Sequence, residues 1–136
     1  MRTLFVTLTL GLAVCGNPQP FEPEIEVPLD QPFVLRVGQS AEVAGTELRL
    51  RFDDVREDSR CPADVVCVWG GNARLRLTVD ADGEVDALEL NTALDPRSAT
   101  ADGFVISVEA LQPEARTTAT IDPDDYIASL RVAREP

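Results

Sequence analysis

The residues best placed to do chemistry lie between Asp58 and Gly71, in the run Asp58-Ser59-Arg60-Cys61-Pro62-Ala63-Asp64-Val65-Val66-Cys67-Val68-Trp69-Gly70-Gly71. A disulfide between Cys61 and Cys67 would close a small loop containing Pro62 and Asp64. Asp58 and Arg60, two residues apart, can pair with each other or cap the loop's backbone amides. Trp69 follows Cys67 by two residues, which on an extended chain puts both on one side and lets the indole pack against the bridge. Val65 and Val66 are expected to cover the loop's base, and Gly70-Gly71 to let the chain turn back. Thiol–disulfide exchange is disfavoured, because five residues separate the cysteines where the C-x-x-C redox motif has two. A rigid exposed loop is pre-organised for binding, as in a protease inhibitor. The leading reading is a covalent staple, the usual role of such bridges in small exported domains.

Composition narrows the chemistry further. The 136 residues include no histidine, so there is no imidazole base and no Ser-His or Cys-His couple. Ser59 and Ser107 sit in no Gly-x-Ser-x-Gly elbow, and no phosphate loop or dinucleotide fingerprint is present. Three cysteines are too few for a Cys₄ zinc site or an iron–sulfur cluster. Acidic groups at Asp53-Asp54, Glu57-Asp58, Asp80-Asp82 and Asp122-Asp125 could offer oxygens to calcium, but they read first as solvated turns. No catalytic residue, metal ligand set or cofactor is therefore assigned, with calcium as the alternative. With 24 acidic side chains against 12 basic ones the net charge is −12, which argues against nucleic acid as a partner.

Every cation is arginine, and six of the 12 fall between Arg49 and Arg76. Arg49, Arg51, Arg74 and Arg76 alternate with apolar residues and point away from them. If their strands are neighbours, they form a patch able to hold an anionic partner. The competing outcome is cross-strand pairing with Glu47, Glu84 and Glu89.

The elements that must position these groups have a period of two. Phe33, Leu35 and Val37 alternate, followed by a turn at Gly38-Gln39. Leu48, Leu50 and Phe52 share one strand face; Leu75, Leu77 and Val79 share another. Asp80-Ala81-Asp82-Gly83 predicts a hairpin turn. In the return strand Val85 lies on one parity and Leu88 and Leu90 on the other, which predicts a bulge near Asp86-Ala87. Phe104, Ile106, Val108 and Ala110 alternate after Asp102-Gly103, and Tyr126, Ala128, Leu130 and Val132 alternate near the C-terminus. No dozen residues show a helical apolar stripe. The expected fold is all-β: a single small antiparallel β-sandwich or barrel, residues 33–134, with one disulfide-stapled loop.

The stretch from 52 to 77 resembles a D-S-R-C-P…C-x-W-x-G signature of short exported bacterial proteins, many of them apparent lipoproteins. The resemblance implies export and supports the β-fold; it implies no reaction. Residues 1–14, with Arg2 ahead of the apolar run from Leu4 to Val14, have the build of a signal peptide. That run is too short to span a bilayer, which takes about 20 apolar residues. Leu12-Ala13-Val14-Cys15 resembles the bacterial lipobox, implying a diacylglyceryl group on Cys15. Val14 departs from the Gly, Ala or Ser the motif favours, which leaves open ordinary cleavage after Gly16 and a secreted soluble product. With Cys15 lipidated, Cys61 and Cys67 remain as the natural pair. Residues 15–32 hold five of the ten prolines and predict an acidic, extended tether or an arm lying on the domain.

The expected function is a non-catalytic, membrane-anchored module of the cell envelope that binds an envelope protein or ligand. The alternatives are a calcium-dependent or carboxylate-using envelope enzyme and a protease-inhibitor-like loop protein.

Overall fold

A computed structural model describes residues 21–136. The expected signal peptide, Cys15 and the start of the tether lie outside the described residues. From Pro23 onward the chain builds nine strands: β1 (Ile25–Val27), β2 (Pro32–Arg36), β3 (Ser40–Val43), β4 (Leu48–Asp58), β5 (Ala73–Ala81), β6 (Glu84–Asn91), β7 (Ser98–Ala101), β8 (Phe104–Gln112) and β9 (Ile127–Arg134). Two sheets form, one ordered β1-β3-β4-β5-β6 and the other β2-β9-β8-β7. They pack face to face as an open sandwich and do not close into a barrel. A single 3₁₀ turn, Pro123–Asp125, precedes β9.

Alternation along the strands sets which residues meet between the sheets. Leu48, Leu50 and Phe52 of β4, and Leu75, Leu77 and Val79 of β5, are buried on the inner face. Opposite them lie Leu35 of β2, Ile106 and Val108 of β8, and Leu130 and Val132 of β9. Their burial removes apolar surface from water at roughly 25 cal/mol per Å², the main force holding the layers together. The β5–β6 hairpin closes on Asp82-Gly83, both with positive φ (53° and 84°), while Asp80 Oδ1 accepts from the Gly83 amide at 2.9 Å. Asp102-Gly103 repeats this turn between β7 and β8, at 48° and 75°. Aspartate tolerates the left-handed region better than most residues and glycine occupies it freely, so both pairs suit a two-residue hairpin.

Three expectations are corrected. The bulge predicted near Asp86-Ala87 is absent: β5 and β6 pair without a break from Arg74↔Asn91 to Ala81↔Glu84. Glu84 and Asp86 instead keep the inner parity of Leu88 and Leu90. They line a cavity of about 300 Å³ at the sandwich's open edge, beside Thr100 and Asp102. Solvent reaches the gap between the layers there, so inward-facing carboxylates are tolerated.

The bulges fall elsewhere, in β4 between Phe52 and Asp54 and between Val55 and Glu57, and in β8 between Val108 and Ala110. The β8 bulge turns Ala110 outward and buries Leu111 in its place. Lastly, of the two outcomes expected for residues 15–32, the described part is the arm lying on the domain, formed as a strand and not as an irregular segment. Ile25–Val27 pairs in parallel with β3 and buries Val27, while Pro32 already belongs to β2.

Phe52 is completely buried at the centre of β4. Phe52→Ala should lower the unfolding free energy by about 3–5 kcal/mol, read as a shift in the urea midpoint. Val34→Ala, on the exposed side of β2, should stay within about 0.5 kcal/mol of the parent. Equal effects at the two positions would mean that the interior is not where the sandwich places it.

Candidate functional site: the clamped disulfide loop

The chain leaves β4 at Asp58 and re-enters the sheet at Ala73, its register partner. Between these residues no strand forms, and the connection is held by side chains and one covalent bond. Cys61 and Cys67 are bridged, with their Cα atoms 5.9 Å apart. Within the loop, Pro62 turns the chain and its carbonyl accepts from the Val65 amide at 3.2 Å.

Arg60 is the hub. Its guanidinium meets the Asp58 carboxylate in a two-pronged pair, Nε to Oδ1 at 2.8 Å and Nη2 to Oδ2 at 2.7 Å. The same group donates to the Leu111 carbonyl (2.8 Å) and the Pro113 carbonyl (2.9 Å), where β8 runs out. Tyr126 donates its hydroxyl to Asp58 Oδ2 at 2.9 Å. One network thus ties the end of β4, the exit of β8 and the start of β9. A planar fork with five donors suits this task in a way lysine does not.

Titration follows from these contacts. Burial alone would raise the Asp58 carboxyl, but hydrogen bonds from Arg60 and Tyr126 and the nearby positive charge outweigh it and hold it below the usual carboxylate range. Burial, reinforced by the bond to the Asp58 anion, pushes the Tyr126 phenol up to about 12. At neutral pH the network is therefore a carboxylate, a guanidinium and a neutral phenol. It contains no group poised to exchange a proton near pH 7.

Further bonds fix the rest of the loop. The Ala63 amide donates to the Ala115 carbonyl at 2.8 Å, and Asp64 accepts from the Thr117 amide at 3.0 Å and from the Thr117 hydroxyl. Those two Thr117 bonds hold the Asp64 carboxyl below the usual range even though the residue is exposed. On the return side the Ser59 amide and hydroxyl both donate to the Asn72 carbonyl, at 2.7 and 3.0 Å. The buried Asn72 side chain donates to Asn91 Oδ1 at 2.8 Å and accepts from the Ala93 and Leu94 amides at 3.0 and 3.2 Å. Gly71 has φ +68°, and a Cβ there would lie 2.2 Å from the Ser59 carbonyl oxygen. Only glycine permits that approach.

This arrangement corrects the expected packing of the loop. Trp69 does not cover the bridge: it is 69% exposed and lines a groove of about 440 Å³ with Ser59, Gly70, Gly71, Asn72, Ala93 and Leu94. Val66 is 100% exposed and Val68 94%, so they form a ridge and not a base; Val65 is also exposed. The alternation rule that placed Trp69 beside Cys67 applies to a strand, and this segment is none. The space between the loop and its neighbours is filled by the polar Arg60 network and leaves the indole outside. Asp58 and Arg60 do pair and cap as expected.

The four arginines do fall on adjacent strands, yet three of them are engaged. Arg49 pairs with Glu42 (3.4 Å) and Asp80 (3.9 Å), Arg51 with Asp53 (2.7 Å), and Arg74 with Glu57 (3.6 Å) and Glu89 (3.7 Å). Of the anticipated partners only Glu89 takes part. Arg76, opposite Asp54 in the register, has no carboxylate within 4 Å among the described residues. The face is a balanced charge ladder more than a cationic patch. Among the described residues no three Cys, Asp or Glu side chains gather into a metal-binding group.

Sequence reasoning missed Tyr126, Thr117 and the Asn72–Asn91 pair. Tyr126 was legible only as the first apolar residue of a strand, and its partner lies 68 residues away. No family model, curated protein or solved structure matches the chain.

The clamp makes a pH-resolved prediction. A carboxyl whose folded-state pKa is depressed contributes stability above its unfolded value, about 4, and loses it as pH falls through the lower folded value. Asp58→Asn should therefore cost about 2–4 kcal/mol at pH 7, because it leaves Arg60 without its counter-charge. The gap to the parent should narrow below about pH 4 in chemical denaturation. A gap that is constant down to pH 2 would contradict the ion-pair account.

Proposed function

We propose that the protein is a non-catalytic interaction module of the bacterial cell envelope, held at a membrane by a lipid on Cys15, with the disulfide loop as its contact surface. The observation that carries this reading is the exposure of Val66, Val68 and Trp69 on a loop that a disulfide, the Arg60 network and Gly71 all immobilise. A free loop would lose conformational entropy on binding, whereas one already fixed loses little. Contiguous exposed apolar residues on a rigid support are a common mark of interaction sites. The lipid reading is supported by the lipobox-like Leu12-Ala13-Val14-Cys15 and by cysteine parity: with Cys61 and Cys67 bridged, Cys15 is the cysteine left over. The resemblance to short exported proteins points the same way. The non-catalytic reading is supported by the chemistry of the loop, whose polar groups are committed to one another.

Two measurements test it. The parent chain expressed in a bacterial host should incorporate radiolabelled fatty acid, and Cys15→Ser should not. A photo-crosslinking residue at position 66 should form adducts in cells, to protein or to lipid, while one at the exposed position 34 on the other sheet should not. Absence of fatty acid from the parent chain, or turnover of peptidoglycan or peptides by the purified chain, would overturn the proposal.

A further inference from the structure

The ridge has the chemistry of one kind of partner. From Cys61 to Asn72 there is no cation, and Asp64, the one charge, is bonded to Thr117. In the groove beside the ridge the Asn72 amide group and the Ser59 amide and hydroxyl are already bonded within the protein. The side chains an occupant meets at the ridge are therefore aliphatic groups and an indole, with no free charge among them. Val66 and Val68 stand clear of the body, so the surface is convex and suits a soft apolar medium.

A second copy of the chain fits poorly. The exposed side chains of the ridge and Leu94 present on the order of 500 Å² of apolar surface, the large end of what monomers leave uncovered. That is short of the ~800 Å² per partner in a standard interface. Each copy would also bring a net charge of −12. A bilayer surface requires neither shape matching nor opposite charge, and tryptophan is a residue of membrane–water interfaces.

We infer that the Val66–Val68–Trp69 ridge is a membrane-contact element that dips into the interface of a zwitterionic bilayer and orients the domain on it. The inference rests on the anchored-module reading and deepens it. A diacylglyceryl group on Cys15 carries two acyl chains and suffices for stable residence; the ridge adds orientation. It is apolar where many peripheral proteins use a basic patch. The acidic chain is repelled by anionic lipid, so adding anionic lipid weakens contact at low salt. Raising the salt restores it as the Debye length shortens to about 10 Å at 0.1 M. That is the reverse of the salt dependence of a polybasic anchor.

Trp69 is the single tryptophan, so its emission reports on the ridge alone. The test uses the mature chain, residues 15–136, carrying Cys15→Ser, which has neither the lipid nor the apolar Leu4–Val14 run, titrated with phosphatidylcholine vesicles. The expected result is a shift of emission to shorter wavelength with half-saturation at roughly millimolar lipid, and quenching by lipids brominated on their tails. Adding phosphatidylglycerol should weaken binding at low salt and less so at high salt. Val66→Asp with Val68→Asp, at positions too exposed to affect folding, should weaken binding at least tenfold. Unchanged emission up to 10-fold above that lipid concentration, or binding that survives the double substitution, would overturn the inference and assign the ridge to a protein cleft. Failure of the anchor reading appears separately, as absence of fatty-acid label from the unaltered chain.

Discussion

The Arg60–Asp58 pair is the interaction on which the rest of the site depends. It lies only 15% and 14% exposed at the end of the sandwich, where three connections must meet without a strand to hold them. A guanidinium there satisfies one carboxylate and two main-chain carbonyls at once, and Tyr126 completes the carboxylate's shell. Removing the cation would leave an anion and two carbonyls partly desolvated and unpaired, and such groups cost more than an ordinary hydrogen bond contributes. The network is therefore a cooperative unit, and the disulfide acts beside it. The bridge closes the tip of the loop; the arginine fixes the tip to the body.

That division explains why the apolar residues of the loop are outside. A disulfide loop is often imagined as a small core of its own, with tryptophan and valines shielding the sulfurs. In this protein the polar clamp occupies the inner side and the close approach of Gly71 to Ser59 draws the two stems together. Val66, Val68 and Trp69 are left with nowhere to go but solvent or a partner. The sandwich beneath supplies rigidity, since its buried leucines and Phe52 hold β4 and β5 in fixed register up to the Asp58–Ala73 pair.

Much of this fold could be read from alternation alone, because a period of two fixes which face of a strand is apolar. The inner residues of β2, β4, β5 and β9 were legible that way, and the Asp82-Gly83 turn from its residue types. What alternation cannot reveal is where a strand slips by one residue or where a sandwich is left open. Ala110 was misplaced because the β8 bulge leaves no mark in the pattern. Asp86 was misread because an open edge tolerates an inward carboxylate. β1 was hidden among prolines, which permit an edge strand while suggesting a spacer. In the site, Asp58, Arg60 and the cysteine pair were legible as near neighbours in sequence. Tyr126 and the carbonyls of Leu111 and Pro113 were not, because more than 50 residues separate them from Arg60 or Asp58.

The central claim is that the Arg60 network, and not the disulfide alone, immobilises the loop that presents the ridge. Native-state hydrogen exchange in the parent and in Arg60→Met, both with the bridge intact, tests it most directly. The Ala63 and Thr117 amides, bonded to Ala115 and Asp64, should lose most of their protection in the variant, while the amides of β4 and β5 between Leu48 and Phe52 and between Leu75 and Val79 keep theirs. Undiminished protection of Ala63 and Thr117 in Arg60→Met would contradict the account and leave the disulfide as the sole support of the loop.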